Sequence, residues 1–189
     1  MKELTICPST LMDGYDTYSP AAAKVLFDSR QVSHIFPGLS PEDDSNTSDE
    51  PIQNIGRISL SGAQSKFSVI VGDDNNLRYT RDREQGTYIL KPRPIGYQII
   101  NKGYCAANEH VTMQIASQVY GIETAPNALC FFEDGKAAYI TRRFDVYPGG
   151  KYKQEDFAAL LGWSKDNGGR LFKYDKSSYE ECAELIHKY

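Results

Sequence analysis

The stretch Ala106 to Tyr120 carries Val111, Ile115, Ala116 and Val119 at helical spacing, with Gly121 as a stop, and it stands between two groups of short strand-like runs. Before it, Phe67 to Val71 and Leu77 to Thr80 flank the turn Gly72-Asp73-Asp74-Asn75-Asn76, a hairpin signature. Thr87 to Lys91 is a third strand, stopped by Pro92. After it, Ala128 to Phe132 and Ala137 to Thr141 are joined by Glu133-Asp134-Gly135-Lys136. Connections that short pair strands antiparallel. The order therefore predicts an α+β fold in which a mainly antiparallel sheet has one substantial helix inserted between its third and fourth strands.

The flanks differ from this centre. Ser19-Pro20-Ala21-Ala22-Ala23-Lys24-Val25-Leu26-Phe27 has an N-cap serine and a proline at the first helical position, so a short helix is expected. Ser40 to Pro51 is acidic and rich in Ser and Pro, with nothing to bury, and reads as a linker. Beyond Gly149-Gly150, Gln154 to Leu161 and Ser177 to His187 look helical, the second with Glu180 and Glu181 in its first turn, where they complement the helix dipole. The expected organisation is a helical N-terminal segment and linker over 1–50, a sheet-bearing lobe over 51–147, and a turn and helices over 148–189.

Composition removes several function classes. Lys plus Arg number 21 and Asp plus Glu 25, so the formal charge is 21 − 25 = −4, which argues against a nucleic-acid coat or a polybasic membrane surface. No apolar run approaches the roughly 18 residues of a membrane span, and Met1-Lys2-Glu3-Leu4 does not open a secretory signal, so the cytosol is the expected compartment. Cys7, Cys105, Cys130 and Cys182 form no CxxC pair and suggest neither zinc nor redox chemistry, and no metal site is expected. His34, His110 and His187 are scattered, and each reads as a surface or core histidine.

Three features fall in an informative order. Ser59-Leu60-Ser61-Gly62-Ala63-Gln64-Ser65-Lys66 is a turn of small residues whose backbone N–H groups suit phosphate, although it is neither a Walker A loop nor a dinucleotide fingerprint. Lys91 closes an apolar strand, and Glu109 opens the following helix. Protein kinases hold ATP phosphates with a strand lysine that a helix glutamate orients. Ala138 to Asp145 is an apolar strand running into the turn at 148–150, the place of a kinase hinge. Taken singly, each also reads as an ordinary turn, a solvated lysine, or a strand end.

Together with Tyr88-Ile89-Leu90-Lys91-Pro92, Asn108-Glu109-His110, Arg143-Phe144-Asp145, Gln154-Glu155-Asp156-Phe157 and Lys173-Tyr174, these segments resemble HipA-type serine/threonine kinases from about Ile58 to about Tyr174. The resemblance implies a protein-kinase-like N-lobe followed by the first helices of a truncated C-lobe. It implies ATP contacts from Ser61, Gly62, Ala63, Gln64, Lys66, Lys91, Glu109, Arg143 and Phe144, with Lys91 as the nucleotide lysine and Phe144 at the adenine. Ser59 and Ser61 become the candidate autophosphorylation sites, and Gln154, Glu155 and Asp156 support the lobe junction.

The same resemblance implies ATP and Mg²⁺ as cofactors of the complete enzyme, and a toxin-antitoxin setting. The implied partners are a helix-turn-helix antitoxin, a small HipS-like protein as in HipT-type kinases, and an aminoacyl-tRNA synthetase as substrate. Direct nucleic-acid and membrane partners are not expected. Arg142 departs from the pattern, standing where the family commonly has a glutamate. The family's catalytic and Mg²⁺-binding aspartates lie beyond the Lys-Tyr motif, so none is assigned within these 189 residues and catalysis by this chain alone is expected to be incomplete. The competing reading is a non-catalytic binding protein, derived from this lobe, that engages an antitoxin or a kinase.

Overall fold

In a computed structural model, residues 5–41, 65–94, 100–169 and 171–188 are described. The chain divides into two compact units, Met1–Phe144 and Asp145–Tyr189. The first opens with helix α1 (Pro20–Phe27), begun as its sequence expects: Ser19 Oγ accepts from the Ala22 N–H at 3.2 Å, and Pro20 occupies the first turn. It buries Ala22, Ala23, Leu26 and Phe27.

Strands β1 (Ile35–Phe36), β2 (Phe67–Val71), β3 (Leu77–Tyr79), β4 (Tyr88–Pro92), β5 (Asn127–Phe132) and β6 (Ala137–Arg142) form one sheet in the order β1-β5-β6-β4-β2-β3. Every pairing is antiparallel except β1 with β5, which makes the sheet mixed. β1 was not expected, because two residues give too short a pattern to read. Pro92 is the last residue of β4, opposite Ala138, rather than a stop outside it. A proline is tolerated at a strand end, where the missing donor costs least.

Alternation sorts the sheet's two faces. Tyr88, Leu90, Ala128, Cys130, Phe132, Ala138 and Ile140 join Leu26 and Phe27 of α1 in one apolar core. Burying each of Leu26, Leu90 and Ile140 contributes about 1.5–3 kcal/mol relative to exposure. Cys130 behaves as a small hydrophobe there, its thiol pushed up to about 12 by burial. Residues 5–41 thus share the core of the sheet. Two side chains from the sheet also close the end of α1: Tyr88 Oη donates to the Leu26 carbonyl at 2.9 Å and Arg142 Nη1 to the Val25 carbonyl at 3.3 Å, satisfying carbonyls the helix leaves open.

The inserted helix, α2 (Cys105–Gln114), continues as a π turn over Ile115–Val119. The apolar stripe faces outward: Val111 is 43%, Ile115 44% and Val119 71% exposed, whereas Ala106 and His110 are buried. The helical period holds, but the sheet positions beneath are polar or aromatic, so they are met by His110 and Gln114 instead of the aliphatic residues.

The second unit carries a hairpin of β7 (Val146–Tyr147) and β8 (Gly150–Lys151). Pro148-Gly149 makes its turn, with Gly149 at φ 96°, a conformation that favours glycine. Among the described residues the helices α3 (Phe157–Leu160), α4 (Lys165–Gly168), α5 (Phe172–Asp175) and α6 (Tyr179–Lys188) follow. The helix expected from Gln154 starts only at Phe157, because Asp156 takes the N-cap, leaving Gln154 and Glu155 in the preceding exposed segment. α6 begins with a reciprocal cap, in which Ser178 N–H donates to Glu181 Oε2 at 2.8 Å and Glu181 N–H to Ser178 Oγ at 3.2 Å. Among the described residues, no helix is long and apolar enough to cross a membrane.

Candidate functional site

The face of the sheet away from α1 carries the alternate positions Lys91 on β4, Tyr139 on β6 and Asn127 on β5, with α2 packed over it. Lys91 and Tyr139 are cross-strand partners, and the Lys91 ammonium lies 5.4 Å from the centre of the Tyr139 ring. From α2, Glu109 reaches down to the same point: Lys91 Nζ donates to Glu109 Oε1 at 2.5 Å, with the two side chains 23% and 30% exposed. The order of strand lysine and helix glutamate is therefore an actual pair.

Lys66, just before β2, belongs to the same electrostatic neighbourhood. Burial, and then the charge of Lys91, push its amine below the ordinary lysine range, while Glu109 pulls it back up. Burial raises the Tyr139 phenol to about 12; a hydrogen bond with Thr141 opposes that rise and the Glu109 carboxylate adds to it. The Lys91 to Glu109 pair thus sits at a half-buried place, within electrostatic range of the Lys66 charge. The residual positive charge, poorly screened by water, suits an anion, and the bond from Glu109 holds one ammonium in a fixed direction.

Of the remaining candidates in the first unit, the Arg143 N–H donates to the Thr87 carbonyl at 2.9 Å, continuing the pairing of β6 beside β4. Phe144 is 77% exposed, an uncovered aromatic ring at the end of that strand. Ser59, Ser61, Gly62, Ala63 and Gln64 lie outside the described residues. In the second unit Asp156 Oδ1 accepts from the Ala159 N–H at 2.9 Å and Oδ2 from Lys173 Nζ at 2.5 Å, and that ammonium keeps its carboxyl below the usual range. Asp156 thus caps α3 and ties it to α5, joining the Gln-Glu-Asp and Lys-Tyr motifs.

Sequence reasoning missed Tyr139, Asn127 and Gln114. Their signal is the strand alternation that puts Tyr139 on the Lys91 face, and it becomes readable only once the register of β4 against β6 is known. Among the described residues no group of three or more His, Cys, Asp or Glu side chains comes together as a metal cradle.

Residues 58–189 match the family described as "HipA-like C-terminal domain". A Haemophilus influenzae protein named "Putative kinase" is 30% identical over 136 residues, which cover 68% of this chain and 37% of that relative, so the chain spans well under half of the relative's length. The matched region contains the lysine, its glutamate and the strand that leads to Phe144. The chain belongs to the HipA-like kinase family.

Proposed function

We propose that this chain forms the nucleotide-facing lobe of a HipA-like serine/threonine kinase, in which Lys91, oriented by Glu109, holds ATP phosphates. The observation that carries the reading is the Lys91 to Glu109 hydrogen bond, which joins β4 to α2 on the face of a mainly antiparallel sheet away from α1. Lys66 adds a second cation at that place, and Phe144 offers an apolar ring to the adenine. Ser61, Gly62, Ala63 and Gln64 belong to the loop over the phosphates in this reading, with Ser59 or Ser61 accepting a phosphoryl group as a regulatory mark.

The reading assigns this chain the holding of nucleotide. Transfer of the γ-phosphoryl group to a serine or threonine belongs to the whole kinase, where Mg²⁺ neutralises developing charge. A toxin-antitoxin role in the cytoplasm, a helix-turn-helix antitoxin, a HipS-like partner and an aminoacyl-tRNA synthetase target are part of the proposal through family membership.

Calorimetric titration with ATP and Mg²⁺ tests it, in wild type and in Lys91→Met. Losing a charge-assisted contact to phosphate should weaken binding about tenfold, or ~1.4 kcal/mol. Equal affinity in the two proteins would reduce Lys91 to a lysine paired for structural reasons.

A further inference from the structure

His110 is fully buried, yet among the described residues only one of its ring nitrogens has a partner. Nδ1 meets Asn127 Oδ1 at 2.9 Å. The amide of Asn127 is oriented by its other end, since Nδ2 donates to the Ala125 carbonyl at 2.8 Å, so Oδ1 faces the imidazole and Nδ1 carries the proton. The same Oδ1 accepts from Gln114 Nε2 at 3.1 Å, one turn further along α2. Gln118 Nε2 then donates to Gln114 Oε1 at 2.7 Å and to the Thr10 carbonyl at 3.2 Å, while Ser9 Oγ donates to the Asn127 carbonyl at 2.8 Å. The hydrogen bonds close a circuit through the loop at 9–10, β5 and α2.

This circuit fixes how far α2 is rotated about its axis. Adjacent helical residues point about 100° apart, so a helix held at His110 has no freedom left at Glu109. Asn127 lies opposite Thr141 and Lys91 opposite Tyr139, which puts the two anchors two strands apart, roughly 10 Å across the sheet, and two residues along it. We infer that His110, Gln114 and Asn127 are positioning residues: they lock the rotation of α2 and so deliver Glu109 to Lys91. An aliphatic face would have packed α2 as well but would have tolerated small rotations, whereas directional bonds to one oxygen do not. The unpartnered Nε2 fits this purpose, because a histidine kept only for packing gains nothing over leucine and leaves a buried acceptor unsatisfied. The consequence for nucleotide rests on the reading of Lys91 given above; the lock itself does not.

The experiment measures the rate of acylation of the Lys91 amine by a small anhydride, followed by mass spectrometry, in the full chain without nucleotide. The variants are Glu109→Gln, His110→Leu, His110→Asn and Gln114→Met, with melting temperature and ATP affinity measured beside it. Glu109→Gln should speed acylation roughly fivefold, the scale of one lost hydrogen bond. His110→Leu should approach that value, and His110→Asn, which keeps a donor near the Nδ1 position, should return close to wild type although its packing is no better. Gln114→Met is half exposed and should fold even where His110→Leu does not; it should give a smaller rise in the same direction. If folded Gln114→Met and His110→Leu acylate Lys91 at the wild-type rate while Glu109→Gln does not, or if His110→Asn behaves like His110→Leu, the lock is disproved. If acylation follows the lock but wild type ignores ATP, the nucleotide reading falls and the lock stands.

Discussion

Arg142 on β6 forks onto the carboxylate of Asp28 at the end of α1, with Nη1 to Oδ1 at 2.7 Å and Nη2 to Oδ2 at 3.0 Å. A bidentate pair of this kind fixes direction as well as distance. Arg142 therefore holds the N-terminal helix against the strand that leads to Phe144. Both partners are partly exposed, at 35% and 67%, which limits its worth. A double-mutant cycle on Arg142→Ala and Asp28→Ala, followed by urea denaturation, should give a coupling of about 0.5–1 kcal/mol. No coupling would mean that the helix is held by its apolar face and the Tyr88 hydrogen bond to Leu26.

The two faces of β4 should respond differently. Leu90 belongs to the core and Lys91 to the opposite side. Leu90→Ala should cost about 2–5 kcal/mol of stability. Lys91→Met should cost less, about 1 kcal/mol, since a half-buried pair, with side chains 23% and 30% exposed, contributes little beyond its own desolvation. Urea midpoints of both variants check this, and a large loss in Lys91→Met would show that the pair serves folding.

Burial lowers the His110 pKa from the ordinary 6.5, while the bond to Asn127 pulls it partly back. Well above 6.5 the ring is neutral in both folded and unfolded chains and makes no difference. As the pH falls below that value the unfolded chain takes up a proton that the folded chain refuses, so stability is lost until the lower folded pKa is reached. His110→Asn removes this contribution. Its stability should therefore decline less than wild type between roughly pH 7.5 and 5.5 in urea titrations, whereas parallel declines would place the proton elsewhere.

Much of this architecture was legible, and the exceptions share a cause. The strands around Asn75 and Gly135, the insertion of α2 and the cap at Ser19 follow from local turn and capping chemistry. So did the candidate pair of Lys91 and Glu109, through their order. What stayed hidden depends on register: Tyr139 beside Lys91, Asn127 beneath His110, and the outward turn of Val111, Ile115 and Val119 all follow from which polar side chains the sheet presents to α2. The two-residue β1 and the four-residue α4 and α5 are too short to carry a period.

In the second unit, Asp156→Ala should loosen α3. Replacing an N-cap aspartate costs about 1 kcal/mol, and α3 has only four residues to absorb the loss. Amide exchange at Ala159, whose N–H is bonded to Asp156, should speed roughly fivefold while exchange in β4 to β6 is unchanged. Unchanged exchange at Ala159 would show that Lys173, not the cap, is the working partner of Asp156.

The account turns on one place, the amine of Lys91 in the grip of Glu109. Its most direct test is the acylation rate of Lys91 with and without ATP and Mg²⁺, read beside the exposed Lys24 of α1, on the other side of the sheet, as internal control. The account predicts that ATP protects Lys91 and leaves Lys24 unaffected, and that Glu109→Gln diminishes the protection. Acylation of Lys91 at the same rate with saturating ATP as without it would contradict the account.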